Sequence, residues 1–94
     1  MQPKFEVRYE KARDWYDVSY LLRLVVVSGQ PGCEYAFTAG AAGSERGERD
    51  DIFCAWHWFA SSNGGCWHEH VERLTGFSAQ DIISAWAEWQ GYEV

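Results

Sequence analysis

The sequence predicts an α+β fold: a three-stranded antiparallel sheet followed by two or three helices packed on one of its faces. Three observations carry this. The first 38 residues hold runs with the two-residue alternation or the β-branched density of strands. The second half holds apolar residues at helical spacing. The two regimes meet once, in a glycine- and alanine-rich stretch over residues 39–47.

In residues 5–10, Phe5, Val7 and Tyr9 alternate with Glu6, Arg8 and Glu10, which predicts a strand with one buried side. Residues 11–17 are polar around Trp15 and Tyr16 and read as a connection. Residues 20–28 contain Leu21, Leu22, Leu24 and the run Val25-Val26-Val27, the composition of a central, buried strand. Gly29-Gln30-Pro31-Gly32 is a turn, because proline presets φ and glycine permits positive φ. Residues 33–38 complete a hairpin, with Tyr35 and Phe37 on one side and Glu34 and Ala36 on the other.

Residues 39–47 read as a flexible surface loop. The spacing of a phosphate-binding loop is missing from it. Asp50 and Asp51 suit a helix N-terminus, where carboxylates complement the positive end of the dipole. The helix predicted over 52–61 puts Ile52, Trp56 and Phe59 on one face, with Cys54, His57 and Trp58 around its side. Being apolar nearly all round, it requires deep burial or an exposed aromatic flank. Ser62-Asn63-Gly64-Gly65 stops it. A short helix over 66–74 closes at Gly76. Ser78 and Asp81 form an approximate capping box for a last helix over 79–90, with Ile82, Trp86 and Trp89 on one stripe and Gly91 as its stop. Residues 92–94 are a short tail.

The size of 94 residues gives one domain with room for one core and none for a cleft between two lobes. Six Trp, five Tyr and five Phe are many for a core this small to hide. The net charge of −6 is unevenly placed: residues 1–44 balance five acids against five bases, whereas residues 45–94 hold nine acids against three bases. Direct phosphate binding needs a basic stripe, and none exists, so direct nucleic-acid binding is not expected. A one-sided acidic surface instead steers toward a protein partner with a basic surface. The longest apolar stretch is too short to span a membrane, and the N-terminus has no signal-peptide core. Three cysteines are an odd number, which fits reduced thiols and a cytoplasmic location.

The site residues expected from this pattern are Glu45, Glu48, Asp50, Asp51, Glu69, Glu72 and Glu88, together with an exposed indole among Trp58, Trp67 and Trp89. Exposed aromatics equally fit a homodimer face. No catalytic set is expected: Cys54 with His57, or Cys66 with His68, lacks an orienting acid and an oxyanion hole by motif. Those residues raise the alternative of a small zinc-stabilised structural or regulatory domain. Cys54, His57, Cys66, His68 and His70 fall within seventeen positions and are zinc-ligand types. Their spacing matches no familiar finger, and residues 66, 68 and 70 of a helix do not share a face, so no cofactor is expected.

In general character the chain resembles the small acidic inhibitors that phages direct against bacterial defence, the anti-CRISPR proteins. The resemblance rests on the element order from Phe5-Glu6-Val7-Arg8-Tyr9-Glu10 to Ala85-Trp86-Ala87-Glu88-Trp89, on the acidic half and on the missing catalytic set. It covers the chain loosely and matches no motif, so it transfers no functional residues. It implies an inhibitor acting in the host cytoplasm on a CRISPR-Cas effector subunit. Such an inhibitor works by filling a basic nucleic-acid groove with carboxylates that imitate DNA phosphates, or by covering a protein-docking surface.

Overall fold

A computed structural model describes residues 2–62 and 65–90. Three strands come first, β1 (Lys4–Arg13), β2 (Ser19–Ser28) and β3 (Glu34–Ala41), and pair antiparallel in the order β1-β2-β3. Three helices follow, α1 (Gly47–Ser61), α2 (Cys66–Thr75) and α3 (Ala79–Gln90). The predicted stop at Gly91, the tail over 92–94 and the middle of the turn after Ser62 lie outside the described residues.

Register explains the core. Phe5 and Tyr35 flank Val27, and Val7 and Phe37 flank Val25, so the alternating positions of all three strands line one face. The helices cover that face: α1 over β3, α2 beside it, and α3 over β1. Ile52, Trp56 and Phe59 of α1, Val71 of α2, and Ile82, Ile83 and Trp86 of α3 bury against it. Trp86 is fully enclosed, its ring centroid 4.8 Å from that of Phe37 and 5.6 Å from that of Phe5.

Two strand lengths differ from expectation. β1 continues to Arg13, past the predicted end at residue 10, and pairs there with Ser19 at the start of β2. Asp14 makes the tight reversal at their tip: its Oδ1 accepts from the backbone N–H of Tyr16 (2.8 Å) and Val18 (3.0 Å). β3 runs on to Ala41 through residues expected to be loop. A register shift between Arg23 and Leu24 leaves Ala39 as the extra residue, with Arg23 paired to Gly40 and Leu24 to Thr38.

The helix boundaries have local causes. α1 begins at Gly47, earlier than predicted, with Asp50 in its first turn. α2 ends where Gly76, at φ 78°, donates its N–H to the Glu72 carbonyl (2.8 Å). Ser78 Oγ accepts from the Asp81 N–H (3.1 Å), and Glu72 Oε2 accepts from the Ala79 N–H (2.8 Å), so α2 helps to cap α3.

The opposite sheet face has no covering layer among the described residues. Leu24 and Val26 on it are nevertheless almost inaccessible. Arg8 on β1 reaches over the central strand to Glu34 on β3 (2.9 Å) and also bonds Glu6, closing a clasp above that stripe.

Candidate functional site

The predicted acids divide by what they do. Asp51, expected on the docking face, is instead buried, 6% exposed, against the equally buried Arg23 of β2. Arg23 Nη2 donates to Asp51 Oδ2 and to Ser44 Oγ (2.8 Å), and Ser44 Oγ donates to the same carboxylate oxygen (2.9 Å). Burial pushes the Asp51 carboxyl up, but the hydrogen bonds from Ser44 and Arg23 and the charges of Arg23 and Arg46 outweigh it and hold it below its ordinary range. Gly40 makes the approach possible: a Cβ there would stand 2.6 Å from Asp51 Oδ2, and its φ is +140°. This assembly fastens α1 to the sheet and is unavailable to a partner.

Glu72 is half-buried and caps α3. Glu45, Glu48, Asp50, Glu69 and Glu88 are exposed. Glu48 accepts a hydrogen bond from the Tyr9 phenol, which raises the Tyr9 pKa. The exposed acids therefore spread over three helices: Glu45, Glu48 and Asp50 around the start of α1, Glu69 on α2, and Asp81 and Glu88 on α3.

The expected indoles also divide. Trp58 is 70% exposed. Trp67 is half-buried, edge-on to Phe59 (5.4 Å) and Phe37 (6.2 Å). Trp89 stacks on Phe5 at 5.3 Å with one side in solvent.

The zinc-ligand types are dispersed. Cys54 Sγ accepts from Arg46 Nη2 (2.7 Å), and His57 lies flat on Phe53 of its own helix. Cys66 is exposed at the start of α2. His68 is buried with Nε2 donating to the Phe59 carbonyl (2.9 Å), which ties α2 to the end of α1. His70 faces Tyr35 edge-on and accepts from Arg73 (3.4 Å). Among the described residues, no group of three or more His, Cys, Asp or Glu side chains could hold an ion.

Among the described residues, the largest aromatic exposure lies where the sequence pattern indicated only a connection. At the β1–β2 tip Trp15 is 99% exposed and Tyr16 86% exposed, with Val18, Tyr20 and Leu21 beside them. The hairpin carries them beyond the part of the sheet that the helices cover. One sequence signal was available: two large aromatics inside a turn, a place normally given to small polar residues.

No family model, curated protein or solved structure matches the chain. The case for function therefore rests on these surfaces. No helix of the described residues is long and apolar enough to cross a membrane.

Proposed function

We propose that the chain works by binding another macromolecule and not by turnover, docking exposed aromatics against a partner that its carboxylates attract. The observation that carries this reading is the β1–β2 tip, where Trp15 and Tyr16 stand in water. Covering both rings removes on the order of 350 Å² from solvent, about 9 kcal/mol gross at ~25 cal/mol per Å². Association costs about 4–15 kcal/mol, so the tip contributes strongly without sufficing alone. The exposed acids on all three helices, with the net charge of −6, supply long-range attraction to a basic surface.

The resemblance to anti-CRISPR proteins makes a CRISPR-Cas effector subunit the partner class, bound at a basic nucleic-acid-binding or protein-docking site. Purified effector complexes, immobilised and exposed to the chain, test this directly. Binding is expected to weaken about tenfold in Trp15→Ala and to associate more slowly as salt rises from about 50 to about 500 mM. Effectors that fail to retain the chain at low salt, or that bind Trp15→Ala as well as the parent, overturn it.

A further inference from the structure

The two edges of the sheet are built differently. β1 follows Pro3 and carries Lys4, Glu6, Arg8, Glu10, Lys11 and Arg13, the charged and proline residues that keep another strand from pairing with an open edge. β3 reads Glu-Tyr-Ala-Phe-Thr-Ala-Gly-Ala, and its single charge, Glu34, is held by Arg8. It is nevertheless an outermost strand.

The ladder shows which groups face outward. Gly29 N–H donates to the Cys33 carbonyl, and counting the antiparallel alternation from that pair, Tyr35 and Phe37 exchange hydrogen bonds with Val27 and Val25. The main-chain N–H and C=O groups of Glu34, Ala36 and Thr38 therefore point away from the sheet. The register shift after Thr38 ends this straight stretch.

Along it runs a cleft of about 340 Å³, lined by residues 35–38 and by Ala55 and Trp58 of α1 and Trp67 of α2. None of the lining side chains is charged. Trp58 forms a largely exposed wall.

We propose that this edge receives an extended segment of the partner polypeptide as a fourth strand, seating one large apolar side chain between Trp58 and Trp67. This deepens the binding reading above and rests on it. A row of outward main-chain donors and acceptors is matched only by another extended backbone, and the uncharged cleft beside it selects an apolar side chain. Basic residues flank that side chain in the segment. The chain's net charge of −6 and the exposed carboxylates of Asp50 on α1 and Glu69 on α2 select for them.

A second copy of the chain fits worse. It brings another net charge of −6 alongside, and its Tyr35 and Phe37 are committed to its own core. Cleft would face cleft, and neither would be filled.

The probe is a blocked nine-residue peptide of alternating Lys and Thr with a central Leu, titrated into isotope-labelled protein and followed by NMR. Amide shifts are expected at residues 34–38 and indole N–H shifts at Trp58 and Trp67. Binding should weaken about tenfold when the peptide is N-methylated at alternate nitrogens, when Gly replaces its Leu, and in Trp58→Ala or Ala36→Pro. Proline is tolerated where an edge N–H faces outward, and a thermal melt checks that Ala36→Pro folds. N-methylation does not alter the protein, so that comparison holds even if the variant is unstable.

Absent shifts, shifts confined to the hairpin tip, or affinity indifferent to N-methylation overturn the proposal. So does sedimentation showing a dimer that Ala36→Pro abolishes, since a second copy would then own the edge. Effector binding lost in Trp15→Ala but kept in Ala36→Pro also overturns the strand proposal and leaves the binding reading standing. Peptide binding at β3 with no effector retained supports the strand site and removes the effector as partner.

Discussion

Arg23 and Asp51 meet where β2 passes beneath α1, both nearly sealed from water. Arg23 Nε has no hydrogen-bond partner among the described residues, so the guanidinium depends on Asp51 and Ser44 for its compensation. Removing one member of a buried pair strands the other charge. Asp51→Ala is expected to cost about 3–5 kcal/mol in urea unfolding, and replacing Arg23 and Asp51 together with Met and Leu should recover most of it. Gly40→Ala acts on the same contact, forcing a Cβ onto the Asp51 carboxylate at a φ that side chains avoid, and should cost about 2–4 kcal/mol. The carboxyl titrates below its ordinary value in the folded chain, so the folded state holds the proton less tightly than the unfolded one. Its stabilisation is complete above the unfolded value of about 4 and is lost as pH falls through the folded value. Urea midpoints followed from about pH 6 to about pH 2 should fall less steeply in the Met/Leu double variant than in the parent.

At the scale of elements, the hairpin tip and the core respond differently to loss of a ring. Trp15→Ala should leave the unfolding free energy measured in urea within about 0.5 kcal/mol of the parent, whereas Phe59→Ala, which empties a fully buried site, should cost about 3–5 kcal/mol. The same division governs what the sequence reveals. The inward positions Phe5, Val7, Val25, Val27, Tyr35 and Phe37 announce themselves by alternation, because burial dictates residue type there. α3 was readable from Ser78 onward because its cap is local. The outer half of the first hairpin is held by its main-chain ladder and by Asp14, and its exposed side chains carry no pattern. Residues 39–41 looked like loop because their strand character depends on Arg23 and Leu22 across the ladder. Asp51 looked like a helix-start acid because its partner lies 28 positions away. Of the candidate site, Trp58 and the exposed acids were legible, whereas Trp15 was hidden by its place in a turn.

For the whole molecule, charge and shape act at different ranges. The extents of 39 × 28 × 23 Å describe an elongated body, with acids on the helices and the bare aromatics at the hairpin tip. Reversing Glu48 and Asp50 to Lys should slow association with a basic partner at low salt and leave dissociation little changed, as stopped-flow measurements at two ionic strengths would read. Asp51 does not belong in that set, because its charge is already matched inside.

The Arg8 clasp has a further consequence for solution behaviour. Its ion pairs are half-exposed and add little to folding stability. Its aliphatic stem and its two carboxylate partners nevertheless roof a greasy seam, Leu24 and Val26, with no second layer over it among the described residues. Take that roof away and the bare sheet becomes one half of an unfinished sandwich, ready to meet another like it face to face. One guanidinium thus keeps an open-faced sheet from becoming sticky.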